Sequence, residues 1–279
     1  RDSTMTRIGQ VMEPALCALM PHAPILVPAV AGAEIVRCRR SSEACVDAAT
    51  RLVGSAPDRV VLISPHAPRG DGVFGLREGP RLCGGFASFG APEQAVDLPN
   101  DRDAARVIAA HTHGRSMPVV TIPRSPLDHG AAVPLWFLCR AGWQGPTVVI
   151  GLPWSSTPAD CIAFGEMLAT ALAELGGRTA LIASGDMTHR ALPGAPAGHD
   201  PRGIVFDDAM RGLLAEGSLR QIAEIDPGLR RAAAEDSVDS TTVVAAALSF
   251  EARGAEVLSY EHPFGVGYLV AVLHDGGEP

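Results

Sequence analysis

Three stretches decide the fold: ALCALMPHAP at 15–24, VVLISPHAP at 60–68 and TALIASGDMTH at 179–189. Each is a short apolar run that stops in a polar turn carrying a histidine: His22, His66 and His189. A continuous run of this length reads as a strand buried on both faces. Ligands of open α/β sheets bind beyond the carboxyl ends of the strands, so three imidazoles delivered there from distant positions can converge on one site. The tetrapeptide PHAP occurs twice, at 21–24 and 65–68, and its prolines stiffen the turn that presents each imidazole. A fourth histidine, His129 in SPLDHGAAVPL (125–135), lies between an apolar strand and a helix start.

Outward from these stretches, apolar runs at 119–122 and 147–151 alternate with helical patterns at 33–53, 101–110, 132–140 and 158–175. Further helices are expected at 204–215, 219–225 and 238–253, then a closing β segment at 257–274 broken by Gly265 and Gly267. The Gly-rich segment leading to Gly90, including DGVFGLREGPRLCGG (71–85), is expected as a loop-rich insertion. The alternation predicts one α/β domain, a central mostly parallel or mixed β-sheet flanked by helices, over 14–279. Residues 1–13 are expected to be a disordered or vector-derived terminus.

Composition narrows the function classes. The 279 residues are 47% hydrophobic and 19% charged, enough apolar material for a large core. A net charge of −8 argues against a surface that neutralises nucleic-acid phosphates or anionic lipid, so a small-molecule partner is expected. The only stretch resembling a signal or membrane span, 14–33, is interrupted by Pro21, Pro24 and Pro28. Six cysteines show no CxxC pair and no disulfide framework, which suits reduced thiols in a cytoplasmic protein. Phosphate-loop and dinucleotide fingerprints are absent.

Two histidines and one carboxylate on one face of a metal leave other positions open for substrate and O₂, the arrangement of non-haem Fe(II) oxygenases. The stretch AAAEDSVDSTTVVAAAL (232–248) offers Glu235, Asp236 and Asp239 for the carboxylate, although Asp236 and Asp239 also fit as caps of the helix that follows. Trp136 and Phe137, just after His129, suit either an aromatic pocket or ordinary helix packing.

Taken in order, PHAPILVP, SPHAP, LDHGAAVPL, SGDMTH, the Phe-acid pair of IVFDDAM, AEDSVDSTTVVAAAL and SYEHPFGVGYLVAVL resemble the class III extradiol ring-cleavage dioxygenases, catalytic (B) subunit type, and the related Memo-like proteins. The resemblance implies a metal held by His22, His66 and Glu235, an acid–base His189 with Asp186 nearby to orient it, and His129 against substrate or O₂. His262 in the last segment would lie at the pocket rim or on the surface. Memo-like relatives carry a cysteine in place of the glutamate, whereas the last cysteine here is Cys161, which favours the dioxygenase pattern and Fe(II). The implied activity is O₂-dependent cleavage of a catechol-type or aminophenol-type ring in aromatic compound catabolism. The rivals are a Zn(II)-dependent hydrolase on the same scaffold and a non-catalytic Memo-like metal- or partner-binding protein. A homo-oligomer is expected, a dimer being the common default.

Overall fold

The computed structural model describes residues 11–66, 69–112 and 118–277. Its strands are β1 (Glu13–Pro14), β2 (Cys17–Met20), β3 (Arg59–Ser64), β4 (Phe74–Arg77), β5 (Arg81–Phe86), β6 (Ala91–Pro99), β7 (Val119–Ile122), β8 (Thr147–Gly151), β9 (Arg178–Ser184), β10 (Glu256–Glu261) and β11 (Tyr268–His274). The helices are α1 (Pro28–Ala31), α2 (Arg39–Gly54), α3 (Arg102–Thr112), α4 (His129–Arg140), α5 (Pro158–Leu175), α6 (Arg202–Ala215), α7 (Leu219–Ile222), α8 (Pro227–Ala233) and α9 (Val238–Ala247).

The main sheet runs β10-β11-β2-β9-β3-β8-β4-β7, with β1 also pairing β9. Its centre, β2-β9-β3-β8, is parallel, whereas β11 runs antiparallel to β2 and β4 antiparallel to β8, so the sheet is mixed. The central strands are buried on both faces because alternate residues feed two cores. Cys17, Leu19, Val61, Ile63, Leu181 and Ala183 pack with α5 and α9, and Ala18, Met20, Val60, Leu62, Ala180 and Ile182 pack with α2 and α4. Trp136 and Phe137 lie in the second core. Thr157 and Asp160 close a capping box at the start of α5. Gly165 then lets α5 press against α9, where a Cβ would collide with the Val243 carbonyl.

Two expectations change. The segment taken as a loop-rich insertion contains β4, which joins the main sheet, and the β5-β6 hairpin, a separate two-stranded ribbon. The ribbon hides from a periodicity reading because Gly84 and Gly85 sit where a strand would show side chains, and because only one of its faces is apolar. At the start of the chain, Met12 is already buried and Glu13 pairs with Arg178, so ordered structure begins before residue 14. Residues 1–10, the rest of that expected terminus, lie outside the described residues.

Among the described residues no helix is long and apolar enough to cross a membrane.

Candidate metal centre

Strand order creates the site. β2 and β3 flank β9 in parallel, so their carboxyl ends open on the same side, two strand spacings or about 10 Å apart. Between them β9 ends in Ser184 and Gly185, small enough for the imidazoles of His22 and His66 to meet with ring centroids 4.7 Å apart. His129, the first residue of α4, brings its ring within 4.5 Å of His66 and 5.5 Å of His22. One donor nitrogen from each of the three lies within 4.8 Å of the others.

Of the two carboxylates at this cluster, Asp236 lies nearer the imidazoles than Asp186, whose Oδ2 is 3.8 Å from His22 Nε2. Asp236 Oδ2 lies 3.0 Å from His66 Nε2 and 3.4 Å from His22 Nε2. Glu235, the expected ligand, is turned away: it accepts from Arg230 Nε at 2.6 Å and from the backbone N–H groups of Ser237 and Val238 at 2.7 and 2.8 Å. The cause is local. Ala234 adopts a left-handed conformation (φ 53°), after which Glu235 folds over the amino end of α9 and satisfies its free N–H groups, while Asp236 faces the strands. Asp236 is fixed there by the backbone N–H of Asp186, which donates to Oδ1 at 2.7 Å. Gly185 permits this close approach, since a Cβ would collide with the Ser237 backbone.

His22 is locked by its other nitrogen. Ser184 Oγ donates its proton to the Gly130 carbonyl, so at 3.0 Å it can only accept from His22 Nδ1–H. Nε2 is thereby the atom presented to Asp236, the tautomer a metal ligand needs. Asp186 does not orient His189: it accepts the His22 backbone N–H at 3.0 Å. His189 is oriented by Ala234, whose carbonyl can only accept, so Nδ1 donates to it at 2.8 Å and Nε2 is the ring nitrogen left for another partner. Asp239 bridges Arg230 Nη2 (2.7 Å) and Ser156 Oγ (3.0 Å), away from the histidines. His262 packs its ring 5.6 Å from Tyr260 and is not brought into the cluster.

The charges are arranged for a cation. Burial pushes His22 down, but Asp186 and then Asp236 outweigh it and raise the imidazole to about 9. Burial would raise Asp236, yet His22 and His66 hold it far below the usual carboxylate range. His129 falls to about 4 through burial and the neighbouring His22 and His66, so it is neutral at neutral pH. His22 Nε2 thus faces two carboxylates, Asp236 at 3.4 Å and Asp186 at 3.8 Å, a donor set that suits a divalent ion. The donor separations fit such an ion: ligands about 2.1 Å from a metal lie about 3.0 Å apart in an octahedron and about 3.4 Å apart in a tetrahedron.

The family described as the catalytic LigB subunit of aromatic ring-opening dioxygenase matches residues 16–271, and the chain belongs to that family. Among its relatives, "Protein CA_C1420" of Clostridium acetobutylicum is 28% identical over 265 residues, covering 91% of this chain and 56% of the relative. A 2,3-dihydroxyphenylpropionate/2,3-dihydroxicinnamic acid 1,2-dioxygenase of Rhodococcus sp is 30% identical over 186 residues, covering 64% of this chain and 57% of the relative. The chain thus spans a little over half the length of these relatives. The crystal structure of the uncharacterized protein JW3007 from Escherichia coli K12 shares the fold, with TM-score 0.63 at 15% identity over 92% of this chain and 98% of that one.

Ser184 and the Ala234 carbonyl, which orient His22 and His189, were not found from sequence. A serine ending a strand next to a functional turn is the one signal that could have pointed to Ser184.

Proposed function

We infer that the protein is an Fe(II)-dependent extradiol dioxygenase that opens a catechol-type ring by inserting both atoms of O₂ beside the diol. The observation that carries the reading is the convergence of His22 Nε2, His66 Nε2 and Asp236 Oδ2, at 3.0 and 3.4 Å, in a chain of the LigB family. Here Asp236 takes the ligand role that the resemblance assigns to Glu235.

Bound ferrous ion would supply positive charge that favours the ionised diol, with open positions for diol and O₂. The chain's own groups do the rest. His189 offers the Nε2 lone pair to a hydroxyl proton while the Ala234 carbonyl holds Nδ1–H, which suits a base that later returns the proton. His129, kept neutral, can donate one hydrogen bond to an oxygen that gains charge at the site. Phe89, in the turn joining the two ribbon strands, lies 6.2 Å edge-on from His129 and supplies an apolar wall for an aromatic ring.

The test is anaerobic reconstitution with Fe(II), then O₂ uptake and absorbance across catechols and aminophenols, with Zn(II)-loaded, Asp236→Ala and His189→Ala proteins alongside. A yellow ring-opened product with matched O₂ consumption is expected. It should vanish with Zn(II) and in Asp236→Ala, and His189→Ala should keep iron but lose turnover by about 10²–10⁴-fold. Activity that persists without O₂ in the Zn(II) form points instead to hydrolysis, and tight Fe(II) binding without uptake to a non-catalytic role.

A further inference from the structure

Two segments that the site has so far left without a role, IVFDDAM and SYEHPFGVGYLVAVL, meet at one side chain. Asp207, in α6, is fully buried. Its Oδ2 accepts from the Tyr260 hydroxyl of β10 at 2.5 Å, and its Oδ1 accepts the backbone N–H of Thr188 at 2.8 Å. Gly267, leading into β11, makes the room, since a Cβ there would collide with Asp207 Oδ2. Holding a carboxyl in such a place is costly unless its oxygens are bonded, and both are. One of those bonds ends a single residue before His189.

The turn that bears His189 is held from two sides. On one, Met187 N–H donates to the Gly267 carbonyl at 2.9 Å and Gly267 N–H to the Thr188 carbonyl at 2.8 Å, while Asp207 takes the Thr188 N–H. On the other, the Thr188 hydroxyl and the His189 N–H both donate to the Ala233 carbonyl at 2.9 Å, and His189 Nδ1 donates to the Ala234 carbonyl at 2.8 Å. All three polar groups of Thr188 are therefore bound, between α6 and the end of α8. Because Thr188 is fully buried, water cannot stand in for Asp207 unless the turn opens. A turn that opens carries the imidazole away from Ala234, and a displacement of about 1 Å can cost about a hundredfold in rate.

We propose that Asp207, itself held by Tyr260, is a positioning residue for His189: by anchoring Thr188 it keeps the imidazole on the Ala234 carbonyl, with Nδ1 committed to that bond and Nε2 free for proton transfer. This deepens the ring-cleavage reading and rests on it, because that reading makes His189 the acid–base group. Asp207 acts through the Thr188 backbone, and none of the metal ligands is among its partners.

The ring itself reports the effect. Histidine rings are labelled with nitrogen-15 and their tautomers read by long-range proton–nitrogen NMR in the Zn(II)-loaded protein, with the His189 signal assigned from His189→Gln. Asp207→Leu, which keeps the branching but neither oxygen, should lose the fixed Nδ1–H signature of His189 and leave the signals of His22 and His66 in place. In the Fe(II) form its kcat should fall about 10–100-fold with the KM for the diol unchanged. Asp207→Asn keeps an acceptor for Thr188 and should recover most of that loss. A folded Asp207→Leu with the wild-type His189 signature overturns the proposal, as does an Asp207→Asn no better than the leucine. A loss that extends to the His22 and His66 signals overturns it too, because that marks a general structural role. If Asp207→Leu does not fold, Tyr260→Phe makes the same comparison by removing one oxygen from a half-buried side chain. It should loosen the same signature to a smaller degree, and an unchanged signature overturns the proposal. If the wild type cleaves no diol, the ring-cleavage reading fails, and the NMR comparison still decides whether Asp207 positions His189.

Discussion

Glu235 and Asp236 are neighbours with opposite assignments, and exchanging each for its amide separates them. Glu235 is 2% exposed at its side chain and bonded to Arg230 at 2.6 Å. Breaking a buried pair costs about 3–5 kcal/mol, and the lower end applies because Arg230 keeps Asp239 at 2.7 Å. At roughly 2–4 °C per kcal/mol for a domain of this size, Glu235→Gln should lower the melting midpoint by about 6–12 °C. It should nevertheless bind metal, since it holds none of the donor atoms at the cluster. Asp236→Asn should show the reverse. With Fe(II) or Zn(II) set at a hundred times the wild-type Kd, ligand linkage stabilises the wild type by about 2.7 kcal/mol, or roughly 5–10 °C. A direct ligand should be worth more than the about 10–100-fold carried by outer partners, and a hundredfold loss leaves about 0.4 kcal/mol, roughly 1 °C. The assay is thermal unfolding followed by circular dichroism with and without metal, together with metal content after desalting. If Glu235→Gln loses the metal-induced shift while Asp236→Asn keeps it, the assignment drawn from the 3.0 and 3.4 Å contacts is wrong.

Ser184→Ala removes the acceptor that fixes His22 Nδ1–H, and metal affinity measured by chelator competition should fall about 10–100-fold; an unchanged affinity would mean that Ser184 does not set the ring. Asp207 is fully buried, and burial pushes its carboxyl from 3.8 to about 7 against the Tyr260 hydroxyl and the Thr188 N–H. The folded protein therefore keeps a proton that the unfolded chain loses, so this group lowers stability as pH rises from about 4 to about 7 and adds no slope above that. Between pH 5 and pH 8 the loss is of order 3 kcal/mol. Urea unfolding at the two pH values should show that difference shrinking in Asp207→Asn, and equal differences in both proteins would remove Asp207 as its source.

What the sequence revealed about this molecule follows from which interactions are local. The runs ending at His22, His66 and His189 were legible because a strand buried on both faces needs an unbroken apolar stretch, and because proline turns mark its end. Convergence of His22 and His66 followed from strand polarity alone. The choice between Glu235 and Asp236 did not, because it turns on the left-handed backbone at Ala234 and on competition for the free N–H groups of α9, neither of which residue type reports. By charge and capping preference the two acids are nearly equivalent; by direction they point to opposite tasks, one holding Arg230 and a helix end, the other facing two imidazoles.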